Sequence, residues 1–497
     1  MSDVLAGIGL VAAAAASAGT IVLPRGRPRA IAMAAALVLF PLLIAGDQWH
    51  SPLIADLRHH LDRLAVALVL GAIVVGGLAY VFRRWPTLLP LAVVFALPFR
   101  VPLHGGGESA NLLLPLYLVI AAGVVAAASR DWPLLPPGPL ARGAAARLPR
   151  VLAAVVVLYA VQTLYSDDFS KGLQNVCFFL VPFTLAFGLL QDVRWDRRLL
   201  RWVLIVVSLE ATAFVLIGSV EYLGKGLFWN DQIIRSNEFH TYFRVNSVFW
   251  DPNIYGRYLA LVTVIAAGAL LWTRTRSGFW LLSGLILVLW IGLVPTFSQS
   301  SFLALLAGLA MLAAIKWSWR WTLGVVVVGA IGAVLVVLLV GGSGKITSDR
   351  LNVDLSGRGN LISGGVDLFA DRPVQGYGSG SFQAAYREHR ANKDAPVTIS
   401  HTEPVTVAAE QGLIGLAAYL SLIAVALWTL GRGLWSAPRA GGRAARAAVL
   451  AAFVALLVHT LAYAGFFEDP ITWVLLAVGA SLADFAARDE PRLREPA

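Results

Sequence analysis

Apolar stretches of roughly 17 to 25 residues recur along almost the whole chain, and each can cross a hydrocarbon core about 30 Å thick as a helix. Fifteen stand out, at 3–23, 30–46, 64–82, 86–99, 111–129, 150–166, 173–190, 199–220, 254–273, 278–296, 301–316, 320–341, 404–430, 446–465 and 470–487. For a chain of 497 residues, 58% hydrophobic content, 14% charged content and a mean hydropathy of +0.73 lie outside ordinary soluble composition. The bilayer is therefore the expected solvent. These features predict an all-α fold, a polytopic membrane helix bundle of about 12–15 transmembrane helices. Its expected regions are N-terminal helices over 1–220, a core over 221–430 with long loops at 221–252 and 342–403, and C-terminal helices with a tail over 431–497.

Positive charge is shared unequally among the connections. The set 24–29, 83–85, 130–150, 191–201, 274–276, 316–320, 431–446 and 488–497 holds 24 Lys and Arg, against seven in 47–63, 100–110, 167–172, 221–252, 297–300 and 466–469. The positive-inside rule makes the first set cytoplasmic. The N-terminus and both long loops then lie outside, and the C-terminus inside, in a multi-pass inner-membrane protein. ATP and sugar nucleotides are not expected there. Gly341-Gly342-Ser343-Gly344-Lys345 has Leu339 where a phosphate loop needs its first glycine, so it reads as a helix exit.

The net charge of +10 comes from short clusters between apolar stretches, which argues against a nucleic-acid partner and for membrane lipids. Cys177 is the only cysteine, so an internal disulfide and a cysteine metal cluster are excluded. Met1 to Leu23 lacks the basic start of a signal peptide and reads as a retained helix. Glu210 and His459 are ionisable groups near mid-span. Each reads as a hydrogen-bonded structural group, with a proton path as the alternative.

Polar chemistry collects in three segments. In Phe243 to Tyr258, Asp251 followed by Pro252 fits a helix N-cap and first position. The amides of that helix start, with Arg244 before it and Arg257 one turn in, suit a phosphate-bearing head group; arginines snorkelling to lipid phosphates are the alternative. In the long loop, Arg358 precedes Leu361, Ile362, Val366 and Phe369 at near-helical spacing, and Asp371 to Phe382 holds a proline and three alternating glycines. A salt bridge is the plain alternative for Arg358, since the loop has seven basic and seven acidic residues. The third segment, Ser400 to Gly415, allows a capping box between Ser400 and Glu403 and sets His401 at a helix N-terminus. That position disfavours an imidazolium, so His401 can accept a hydroxyl proton, or else merely hydrogen-bond at an interface. No partner at metal-ligand spacing surrounds it, and neither a metal nor a cofactor is expected.

In order, these segments resemble the O-antigen ligase and polymerase superfamily over about residues 240 to 425. The resemblance rests on Arg244 with Pro252-Asn253, on Ser298-Gln299-Ser300-Ser301, and on Arg358 ahead of an apolar helix. It also uses the Pro373 to Gly380 turn and His401 followed by Glu410-x-Gly412-x-x-Gly415. The family's serine-arginine pair appears here as Ser300-Ser301. The resemblance implies a metal-independent, inverting glycosyltransferase that ligates or polymerises glycan from a polyprenyl-pyrophosphate-linked donor onto a glycan or lipid acceptor. Arg244 and Arg358 would bind pyrophosphate and His401 would be catalytic, with Asn253, Arg257 and Glu410 as further substrate-binding residues. A polysaccharide assembly complex is a further expected partner. The rival readings are a transporter or flippase for a lipid-linked glycan and a non-catalytic subunit of such a complex.

Overall fold

A computed structural model describes residues 3–51, 60–105, 108–133, 147–228, 233–234, 237–238, 242–324, 326, 358–389, 400–435 and 442–489. The helices are α1 (Asp3–Val22), α2 (Arg27–Asp47), α3 (Leu61–Arg84), α4 (Leu88–Ala96), α5 (Leu114–Asp131), α6 (Arg147–Thr163), α7 (Phe169–Leu190) and α8 (Arg197–Gly224). They continue as α9 (Pro252–Trp272), α10 (Arg276–Leu293), α11 (Gln299–Lys316), α12 (Arg358–Asp371), α13 (Phe382–His389), α14 (Glu403–Gly431), α15 (Arg443–Thr460) and α16 (Pro470–Asp489). One antiparallel ribbon, β1 (Val101–Gly105) with β2 (Glu108–Leu112), links α4 to α5 in an otherwise all-α fold.

Eleven of these helices are long and apolar enough to cross a membrane. Three expected spans are shorter: α4 has 9 residues, α6 has 17, and the apolar part of α16 is Pro470–Phe485. Most of the expected span 320–341 lies outside the described residues, as does the glycine-rich helix exit at 341–345.

Helices α9, α11 and α15 pack on one another, where small residues let backbones approach. A Cβ on Gly268 would stand 2.8 Å from the Ala448 Cβ, and one on Gly308 would stand 3.1 Å from the Ala455 Cβ. On the other side, α1 packs on α2 and α6, and α6 packs on α14.

The two ends of the bundle differ in chemistry. At one, here the Arg29 end, Lys316 Nζ donates to the Leu271 carbonyl (2.7 Å), Arg443 to Ile315 (3.1 Å), and Ser481 to Val193 (2.8 Å). Arg29 donates there to the Thr20 and Gly188 carbonyls, each at 3.0 Å. Cations beside tryptophans ring this end, with Lys316 over Trp272 and both Arg147 and Arg432 over Trp428. Such pairs mark a membrane interface. The described connections of the positive-rich set meet here. The opposite, His401 end joins the starts of α9, α11 and α14 to the end of α15.

Candidate active site

A buried carboxylate fixes the loop that carries Arg244. Glu221, in the last turn of α8, accepts amide protons from Ser247 (2.7 Å), Asn246 (3.2 Å) and Phe228 (3.4 Å). Ser247 adopts a left-handed φ of 51° and donates its hydroxyl to the Phe214 carbonyl. Asn237 accepts from the Arg244 amide at 3.0 Å. The half-buried Arg244 side chain then donates Nε to the Thr296 carbonyl (2.9 Å) and Nη2 to Asn253 Oδ1 (3.2 Å). Helix α9 starts as the sequence suggests, with Asp251 as N-cap accepting from the Asn253 amide at 2.6 Å and Pro252 in the first turn. Arg244 and Asn253 therefore meet. Arg257 points inward, where Nη2 lies 2.9 Å from Asp469 Oδ2 and both side chains are almost fully buried. Its Nη1 has no hydrogen-bond acceptor among the described residues.

The serines at the start of α11 contact a residue that the sequence places far away. Ser298 caps the helix and its Oγ lies 2.7 Å from Ser301 Oγ and 3.1 Å from Ser300 Oγ. His459 Nε2, fully buried in the last turn of α15, lies 3.2 Å from Ser300 Oγ and 3.4 Å from Ser301 Oγ. Ser301 also donates to the Asn253 carbonyl at 3.4 Å, closing a path from Arg244 to His459. Gly256 permits this approach, since a Cβ there would stand 2.6 Å from Ser301 Oγ. No spacing in the sequence signals a pair 158 residues apart, so His459 reads there as an isolated group. The Tyr463 ring stands 5.8 Å from His459 and 6.2 Å from His401, centroid to centroid. Burial and the nearby Asp251 carboxylate raise the Tyr463 phenol above its ordinary range.

His401 stands one residue before the Thr402 N-cap of α14 in a left-handed conformation, φ 61°. The expected capping box does not form. Ser400 Oγ instead donates to the Thr402 carbonyl (2.8 Å) and pairs with Thr406 Oγ1 (2.7 Å). Glu403 turns inward to accept from the Gly465 (2.7 Å) and Phe466 (3.1 Å) amides, because a buried carboxylate and two buried donors satisfy one another there. The same turn returns the Ala464 amide to the His401 carbonyl at 3.1 Å.

Helix α12 begins at Arg358, as the apolar spacing suggests, while the Arg358 side chain lies outside the described residues. The following turn uses its glycines fully: Gly376, Gly378 and Gly380 have φ of 67°, 93° and 84°. A Cβ on Gly380 would stand 2.7 Å from the Gly172 amide nitrogen. The buried carboxylate of Glu410 accepts from the Gly380 (2.8 Å) and Phe382 (3.2 Å) amides, so it is occupied by the chain's own backbone. Arg372 pairs with Asp167 at 3.6 Å and lies 4.1 Å over the Tyr377 ring. Tyr377 donates to Asp371, and burial together with that carboxylate pushes its phenol up to about 12.

A cavity of about 50 Å³ at this end is bordered by Glu403, Glu410, Glu468, Lys171 and Asn175, and neither Arg244 nor His401 lines it. Among the described residues no group of three His, Cys, Asp or Glu side chains is placed to hold a metal ion. Glu210 accepts from the Tyr258 hydroxyl at 3.2 Å.

Fold and site together define an all-helical, multi-pass membrane protein with a polar cluster where α9, α11, α14 and α15 meet. Residues 284–420 match the family model described as O-antigen ligase, and the match supports membership of the O-antigen ligase and polymerase superfamily. That stretch contains the serine start of α11, Arg358, the glycine turn, His401 and Glu410. No curated protein matches the chain.

Proposed function

We propose that the chain transfers or polymerises polyprenyl-pyrophosphate-linked oligosaccharide or polysaccharide on the outer side of the cytoplasmic membrane, without a metal and with inversion. The acceptor is a hydroxyl of a glycan or lipid. The observation that carries this reading is the placement of Arg244, braced by Thr296 and Asn253, at the same end as His401 in a chain with an O-antigen ligase match.

The acceptor oxygen forms a bond to the anomeric carbon while the bond from that carbon to the pyrophosphate oxygen breaks on the opposite face. His401 takes the hydroxyl proton, and polyprenyl pyrophosphate leaves with the bonding electrons. Arg244 and Arg358 hold the leaving group, since planar guanidinium forks match phosphate oxygens where negative charge develops. Asn253 orients Arg244. Arg257 and Glu410 act one step back, by holding the α9 start and the glycine turn in place. A polysaccharide assembly complex is the expected setting.

The test is transfer from a lipid-linked donor by purified protein. His401→Ala should lower the rate by roughly 100- to 10,000-fold, the usual range for general-base assistance, with folding intact. Arg244→Lys and Arg358→Lys should lose most activity, while Arg372→Lys stays near wild type. Equal sensitivity of all three arginines, or full activity of His401→Ala, overturns the assignment.

A further inference from the structure

Far from the proposed active site, at the Arg29 end, a cavity of about 410 Å³ lies among the ends of α2, α4, α5, α7 and α8. Ligand pockets span roughly 300–1,000 Å³, whereas one water takes up about 30 Å³, so this space is of ligand size. Its walls are apolar at Leu89, Leu189 and Leu199, and its rim is charged.

The charges divide into those already used and those not. Asp192 accepts from Arg29 at 2.5 Å and from Arg25 at 3.3 Å. Asp196 caps α8 by accepting from the Leu199 amide at 2.8 Å. Arg130 and Arg194 are exposed on the rim and make no ion pair or hydrogen bond through their side chains among the described residues. Asp131 is the converse case. It is 6% exposed, its Oδ2 accepts no hydrogen bond, and Arg29, committed to Asp192, approaches it only to 3.8 Å. A buried carboxylate oxygen in that state lacks a donor.

We propose that this cavity binds the head group of a membrane phospholipid, whose phosphodiester is held by Arg130 and Arg194 and whose own hydrogen-bond donor, an ammonium or a hydroxyl, reaches Asp131. The depth agrees. Arg27 lies 5.9 Å over Trp132, and Arg84 5.9 Å over Trp85, next to the rim. These pairs belong at the level of lipid phosphates, where basic pockets between helix ends take up phosphate head groups. The apolar wall receives the glycerol and the upper acyl chain.

Native mass spectrometry of the full chain, delipidated in detergent and titrated with one lipid at a time, tests this. Phosphatidylethanolamine or phosphatidylglycerol should be retained in preference to phosphatidylcholine, which has the same phosphate but no head-group donor. Arg130→Gln/Arg194→Gln should weaken retention by about thirtyfold, given the usual contribution of surface cations to lipid binding. Both arginines are exposed and unpaired, so the variant should fold; Arg194→Gln alone should show part of the loss. Asp131→Asn should narrow the preference over phosphatidylcholine. Equal retention of all three lipids, wild-type retention by the double variant, or displacement by millimolar inorganic phosphate, which would make this a free-phosphate site, each overturns the proposal.

Discussion

Arg257 and Asp469 form a buried ion pair 2.9 Å apart, with side chains 6% and 5% exposed. Removing one partner leaves the other charge buried and uncompensated, which typically destabilises by about 3–5 kcal/mol. Arg257→Met removes the cation at similar volume, and Asp469→Asn removes the anion while keeping the oxygen that accepts from the Ile471 amide at 2.8 Å. Each single variant should therefore unfold earlier, by roughly 3–5 kcal/mol, in a denaturant titration followed by tryptophan fluorescence in detergent. The double variant carries neither charge, so it should recover at least about 2 kcal/mol relative to the sum of the singles. Singles within about 1 kcal/mol of wild type, or a double as unstable as that sum, would refute the reasoning. The same variants decide what Arg257 does. If it only holds the start of α9 against the turn before α16, the double variant transfers glycan at a near-normal rate. If the double is stable but inactive, Nη1, which has no acceptor among the described residues, reaches the donor.

Three further outcomes follow from other contacts. Gly380→Ala, at φ 84° with the Gly172 amide close by, should lose at least about 1–2 kcal/mol by the same titration, because a left-handed conformation disfavours a side chain. His459→Phe should cost only about 1–2 kcal/mol, since Ser300 and Ser301 keep Ser298 as a partner. With native Cys177 fully buried, impermeant maleimide on intact cells should label a cysteine at Glu388 and spare one at Arg198; the reverse pattern would invert the membrane orientation and remove the proposed site from the outer face.

Eleven of the fifteen expected spans were legible as helices long and apolar enough to cross a membrane, because each follows from local composition. The N-cap of α9 was legible too, since Asp251 and Pro252 act within one turn. Failures came where partners are distant in sequence. Glu403 stands at the right spacing for a capping box with Ser400, but the Gly465 and Phe466 amides, 62 and 63 residues on, take its carboxylate. Glu410 sits in a motif that suggests ligand contact, and tertiary packing brings it to Gly380 and Phe382. His459 could not be paired with the α11 serines, because spacing within one helix carries no information about the helix opposite.

Three buried carboxylates share one physical logic. Loops at the His401 end leave the water at their inner edge, and buried amides there need acceptors that no regular structure supplies. Glu221 serves the loop before α9, Glu403 serves the turn before α16, and Glu410 serves the glycine turn after α12. Each carboxylate sits on a helix, and the first two fix segments that bear or touch a proposed functional group: Arg244 in the first, and Tyr463 beside His401 in the second. Flexible loops thereby acquire the rigidity of the helices that hold them. For a reaction that depends on donors already aimed at a developing anion, that rigidity is the property required. Replacing Glu221 with Gln should accordingly lower the transfer rate more than donor affinity, because it loosens the aim of Arg244 and leaves its charge in place. An effect confined to donor affinity would mean that Glu221 shapes only the binding surface.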